Sequence, residues 1–206
     1  MTPFTIKKNN YLKQDIQGFY HKPFGGIDLP NNPNFLYKLK NDPHHNWTID
    51  NLRTAITDFE RILIDDLPKI QVHLGKPSLT ICVVPRSKAD NTYDSSQLLF
   101  RATIKKVVNK LGYIDGTQYI IRHKNTKTTH LKKPMKGFNN DGDLPYIGIT
   151  NSTCNISNNV NGKDILLIDD IYTKTVNIDE DAIQALLSKG AKSVAFYAIG
   201  NTVLKF

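Results

Sequence analysis

Cysteine is scarce in this sequence: Cys82 and Cys154 are the only two in 206 residues. Cys82 lies inside an apolar run and reads as a buried free thiol rather than half of a disulfide. Metal-ligand spacing is missing too. His21, His44 and His45 have no paired cysteine or acid at a zinc-binding interval, so they read as surface or hydrogen-bonding histidines. Long apolar runs are absent. None approaches the ~20 residues that span a bilayer, and Met1–Lys8 contains no stretch of signal-peptide length. A cytoplasmic protein with no membrane partner is expected. A Walker-type phosphate loop is lacking as well, because Gly75-Lys76 and Gly162-Lys163 run into Pro77 and Asp164 instead of Ser or Thr. No internal repeat and no long low-complexity segment occurs.

What is present suits a globular chain. A hydrophobic content of 39% with 22% charged residues, at this length, allows one domain with a sizeable core plus an arm. The net charge of +8 favours anionic partners: phosphorylated small molecules, nucleic acid or an acidic protein. Much of the basic excess is concentrated from Arg122 to Lys136, which reads either as a solvated loop or as one that faces phosphate.

Two regions differ in texture. Residues 1–46 are rich in Asn, Pro, Gly and Lys and carry turn signals, yet they hold Phe4, Tyr11, Phe19, Tyr20 and Phe24. They are expected to form an irregular extension packed on the core, with partner or homodimer contacts as the alternative. Residues 47–206 read as an α/β domain. Leu52, Ala55, Ile56, Phe59, Ile62 and Leu63 predict a helix capped by Thr48 or Asp50 and ended by Pro68. Leu79–Val84 predicts a buried strand, Ser95 or Ser96 caps a helix to Leu111, and Gly112 stops it. Tyr119–Ile121, Pro145–Ile149, Asp164–Asp169 and Ser193–Ile199 read as further strands, with a helix from Asn177 to Lys189 before the last. This alternation predicts a central parallel sheet flanked by helices. Ligands of such sheets bind beyond the carboxyl ends of the strands, so the chemistry is sought after Val84, Ile121 and Ile168.

Beyond Ile168 stand Asp169 and Asp170, then Ile171-Tyr172-Thr173-Lys174-Thr175-Val176-Asn177 and a helix. Two carboxylates at the end of a buried strand need a cleft, a cation or hydroxyl groups to face. The hydroxyl-rich turn and the following helix N-terminus offer amide donors to a phosphate. Together these parts suit a ribose 5-phosphate; a solvated helix cap is the alternative on the two acids alone.

The segment from Lys163 to Val203 resembles the PRPP-binding region of type I phosphoribosyltransferases, the ComF-like and amidophosphoribosyltransferase-like group. The resemblance lies in an apolar strand, two acids, two apolar positions and Thr173, followed by the helix, the turn at Ser188–Ala191 and the last strand. It implies that Asp169 and Asp170 contact the ribose hydroxyls and a magnesium ion that arrives with PRPP. It implies that Thr173, Lys174, Thr175, Val176 and Asn177 hold the 5-phosphate. Pro85, Arg86, Ser87 and Lys88 resemble the loop that grips pyrophosphate. Arg122, Lys124 and Lys127 resemble the mobile basic loop that closes over the site. The implied activity is transfer of a phosphoribosyl group to a base or amine, within nucleotide metabolism.

The pattern departs from the family at Lys174, Thr175 and Asn177, where Thr, Gly and Thr are the rule. Glycine lets a backbone approach phosphate or turn left-handed, and β-branched Thr disfavours both. The alternative expectation is therefore the same fold with weak or lost catalysis, serving regulation or nucleic-acid binding. No pocket for a base announces itself.

Overall fold

The computed structural model describes residues 1–25, 30–41, 47–128, 148–150 and 152–203. The two most apolar segments become neighbouring strands at the centre of a sheet, β3 (Thr80–Val83) and β7 (Asp164–Tyr172). Their side chains alternate between two hydrophobic layers. Ile81, Val83, Leu166 and Ile168 join one, and Cys82, Val84, Ile165 and Leu167 the other. A strand buried on both faces must be covered by further elements on both sides. Helices α1 (Phe35–Lys40), α2 (Ile49–Leu74) and α3 (Leu99–Leu111) cover the first face. Helix α4 (Ile178–Ser188) and a two-stranded antiparallel ladder, β5 (Ile120–Arg122) with β6 (Cys154–Ile156), cover the second.

The central sheet has six strands in the order β1-β2-β8-β7-β3-β4. Here β1 is Thr2–Ile6, β2 is Ile16–Phe24, β4 is Ile114–Gly116 and β8 is Ser193–Thr202. All neighbours run parallel except β1, which lies antiparallel on β2. The protein is thus α/β, with a mostly parallel central sheet flanked by helices. From β3 the chain crosses through α3 to β4 on one side; from β7 it crosses through α4 to β8 on the other. The winding therefore reverses between β3 and β7. No helix among the described residues is long and apolar enough to cross a membrane.

Much of the described N-terminal segment is regular, as β1, β2 and α1. Its β2 pairs with β8 along Gly18↔Phe196 to Phe24↔Thr202, and β1 closes that edge. Gly18 makes the pairing possible, since the Phe4 ring lies 2.6 Å from where a Cβ would stand. Local pattern hid this strand because His21, Lys22 and Pro23 interrupt it. What recruits it is the exposed edge of β8, a row of backbone donors and acceptors that needs partners.

Helix α2 runs through Pro68 to Leu74 and ends at Gly75, which takes a left-handed φ of 61°. Proline removes one hydrogen bond to Ile64, but Leu67 and Ile70 on either side are buried in the core and hold the helix together. Thr48 caps its start, accepting from the Asn51 amide, as its position predicts. Three other expectations change. The segment around Ile121 enters the small ladder and not the central sheet, whose edge strand is β4. Gly148 and Ile149 are not in a strand, and 145–147 lie outside the described residues. Strand β7 continues past Asp169 to Tyr172 because β8 runs on beside it, with Tyr172 opposite Asn201.

Candidate functional site

In a doubly wound sheet the crevice opens where the winding reverses, at the carboxyl ends of the two strands concerned. Those ends belong to β3 and β7, and they stay joined beyond the strand limits: the Val84 amide donates to the Ile168 carbonyl at 3.0 Å. Pro85–Lys88 therefore leaves the sheet beside Asp169 and Asp170, which are still within β7 and alongside β8. Two of the three segments singled out in sequence meet here as neighbours.

The acids do not share one environment. Successive residues of a strand face opposite ways, and their partners come from opposite faces. Asp170 Oδ2 forms an ion pair with Lys40 Nζ of α1 at 2.8 Å. Asp169 accepts the Asp170 amide at 2.7 Å through Oδ1 and shares a side-chain hydrogen bond with Asp179 in the first turn of α4. Asp179 is 4% exposed, and burial raises its carboxyl well above the ordinary range, with Asp169 adding to the shift. Burial also raises Asp169, and the charge of Asp170 beside it pushes the same way. Two carboxyls in contact, Asp179 buried and Asp169 partly so, cannot both ionise cheaply, so the arrangement favours one proton between them.

The first turn of α4 is filled by its own acids. Beyond Asp179, Glu180 accepts from the Tyr172 hydroxyl at 2.8 Å, and Asp181 Oδ2 accepts from the Ile149 amide at 2.7 Å. Acids are stabilised at a helix N-terminus by the dipole, and here all three have partners outside their own turn: Asp169, Tyr172 and Ile149.

The turn before α4 runs through Thr173–Val176, closed by the Val176 amide to the Thr173 carbonyl at 2.9 Å. Lys174 and Thr175 are exposed. The left-handed residue is Asn177, at φ 59°, and Thr175 has no positive φ. Left-handed backbone in this turn thus falls two residues after Thr175, on an asparagine, which tolerates it. Asn177 Oδ1 accepts from Asn9 Nδ2 at 3.0 Å, so the loop after β1 braces the turn. Thr173 Oγ1 meets Thr202 Oγ1 of β8 at 2.8 Å.

The loop after β3 is braced as well. Arg86 donates through Nη1 to the carbonyls of Lys40 at 2.6 Å and Gln97 at 2.7 Å, and its guanidinium lies 4.5 Å over the Tyr93 ring. Ser87 Oγ meets Thr128 Oγ1 at 2.7 Å, and the Lys88 amide donates to the Tyr93 hydroxyl at 3.1 Å. Lys88 itself is 6% exposed.

The basic segment after β5 packs from the other side. Arg122 Nε donates to the Arg86 carbonyl at 2.7 Å, and Thr126 donates its amide to Ser87 at 2.8 Å. Arg122 is buried, its Nη1 has no hydrogen-bond partner, and burial lowers its pKa. It is thus a fixed support beneath the Arg86–Lys88 loop and not part of an open flap. Lys124 is exposed, Lys127 is half-buried, and 129–147, which hold the rest of the basic run, lie outside the described residues. His44 and His45 lie outside them too, while His21 pairs with Asp66 at 2.8 Å. Cys82 and Cys154 are both free and buried.

Sequence reasoning missed Lys40 and Asp179. A lysine at the end of a short helix and an acid in a first turn are each ordinary surface features, and only the packing of α1 and α4 against opposite faces of β7 brings them to the acid pair.

No protein-family model matches the chain, and no curated protein matches it. Fold and site together define an α/β protein with a doubly wound, mostly parallel sheet and an acid pair at its reversal point.

The acid pair as arranged does not fit a resident magnesium ion. Asp170 is neutralised by Lys40, and Asp169 is bonded to the Asp170 amide and to Asp179. Among the described residues no group of three or more His, Cys, Asp or Glu is disposed to hold a metal.

Proposed function

We propose that the protein is a type I phosphoribosyltransferase-like protein that binds PRPP, or another phosphorylated ribose, across the carboxyl ends of β3 and β7. The reading is carried by one observation: the Val84–Ile168 hydrogen bond sets the Pro85–Lys88 loop directly beside Asp169 and Asp170 at the reversal of the sheet. The ribose hydroxyls would bond to Asp169 and Asp170. The 5-phosphate would lie on the Thr173–Val176 turn, where Lys174 adds a positive charge. Pyrophosphate would lie against Arg86, Ser87 and Lys88. The reaction would break the bond between the anomeric carbon and pyrophosphate through an oxocarbenium-like state, with the loop cations stabilising the departing charge. A base or amine would then supply the electron pair for the new bond.

Calorimetric titration with PRPP tests this. Asp169→Asn with Asp170→Asn should abolish binding while thermal unfolding remains cooperative. Unchanged binding by the double variant refutes the site. Release of pyrophosphate with a panel of bases and amines tests turnover.

A second reading is favoured by the Arg86 contacts. With that guanidinium held by two carbonyls and a tyrosine ring, the loop is built to bind more than to reorganise, as in a phosphoribosyltransferase-like regulator with weak or no catalysis. PRPP binding without pyrophosphate release would select it. Nucleic acid as the ligand would be revealed by an affinity falling steeply with salt.

A further inference from the structure

The end of α1 ties the two sides of the reversal point together. Lys40 sends its ammonium to Asp170 at 2.8 Å, while its carbonyl receives Arg86 at 2.6 Å. Asn41, which ends the helix in a left-handed conformation at φ 40°, donates Nδ2 to Ser96 Oγ at 2.7 Å. The ammonium is therefore delivered by a helix end anchored at two further points, and both partners of the ion pair are largely shielded, at 24% and 21% side-chain exposure. Leu36 and Leu39 of the same helix are buried in the core, which fixes its orientation.

We propose that Lys40 is the built-in counter-cation of the acid pair: it occupies at Asp170 the place where a divalent metal would bind, and so determines which cations the site accepts. A carboxylate shielded from water binds whichever cation neutralises it, and a tethered ammonium competes at high effective concentration. With Lys40 in place, a divalent ion must displace a held charge. With Lys40 gone, Asp170 becomes a shielded, unneutralised anion beside Asp169, and a hard cation takes oxygen ligands of this kind. The inference concerns cation choice at the two aspartates and stands whether or not the ligand is a phosphorylated ribose.

The test uses Mn²⁺ alone, without any phosphate ligand, followed by calorimetry and by the paramagnetic resonance of free Mn²⁺. The full chain is compared with Lys40→Met, Lys40→Arg and Lys40→Met/Asp170→Asn, each checked for cooperative unfolding; Lys40→Gln replaces Lys40→Met if the latter does not fold. Lys40→Met should bind Mn²⁺ about ten-fold more tightly than the parent, or better. Lys40→Arg should match the parent, and the double variant should lose the gain. A folded Lys40→Met or Lys40→Gln protein with parental Mn²⁺ affinity overturns the proposal. So does a gain that survives Asp170→Asn, because the ion would then be bound elsewhere.

Discussion

The Tyr197 hydroxyl donates to Asp66 Oδ2 across 2.7 Å, joining β8 to α2 inside the core, with His21 Nδ1 of β2 2.8 Å from the same oxygen. One buried carboxylate thus connects the helix to the two strands that bring the N-terminal segment into the sheet. Burial alone would raise the Asp66 carboxyl; the bonds from His21 and Tyr197 outweigh it and hold it below the usual carboxylate value. Replacing Asp66 by Leu strands Tyr197 and His21 and should cost about 3–5 kcal/mol, measured by denaturant unfolding.

The sign of the Asp66 shift sets a pH window. An acid whose folded value is depressed contributes stability above its unfolded value, about 3.9, and loses it as pH falls through the folded value. Unfolding midpoints of the parent and Asp66→Asn should therefore differ most at neutral pH and converge below about pH 4. A difference that stays constant down to pH 3 would show that the carboxylate charge is not what stabilises this junction.

Glu180 carries the opposite sign. Burial raises its carboxyl, the bonds from its own backbone amide and from the Tyr172 hydroxyl only partly oppose this, and Oε2 has no partner among the described residues. The folded state therefore prefers the protonated acid, and ionisation above the ordinary value of about 4.3 destabilises it. Glu180→Gln mimics the protonated form and keeps an acceptor for Tyr172. It should stabilise the protein at pH 7 by on the order of 1 kcal/mol, with the gain vanishing as pH falls below about 4. Equal or lower stability at pH 7 would contradict the sign.

At the turn before α4, left-handed backbone belongs to Asn177 and not to Thr175. Asn177→Gly should be tolerated within a few tenths of a kcal/mol apart from the lost bond to Asn9, while Asn177→Val should cost about 1–2 kcal/mol. Thr175→Gly, which places glycine where the phosphoribosyltransferase pattern it resembles has one, should lower stability by about 0.5–1 kcal/mol through unfolded-state entropy and, on the proposed function, leave phosphate affinity unchanged. Tighter phosphate binding by Thr175→Gly would mean that the turn changes shape on binding.

Local signals in the sequence were enough for the elements that depend on neighbours along the chain. Thr48 announces the start of α2, Gly112 and Gly190 take the positive φ at helix ends, and the runs at Leu79–Val84 and Ile165–Ile168 are apolar enough to be central strands whatever surrounds them. The order of strand, acids, turn and helix around Asp169 was legible for the same reason, although the strand runs on through the acids to Tyr172 because β8 continues beside it. Tertiary structure alone decided the rest. Pro68 stays inside a helix because packing at Leu67 and Ile70 offsets one missing bond, β2 exists because β8 offers it an edge, and Asp169 and Asp170 part company because a pleated strand sends adjacent side chains to opposite faces. Lys40 lies 130 residues before Asp170 in the chain, and Asp179 is ten residues after Asp169. Both pairings depend on which helix packs on which face of β7, and periodicity cannot reveal that, because it records the spacing of apolar residues along one element and not the partner that buries them.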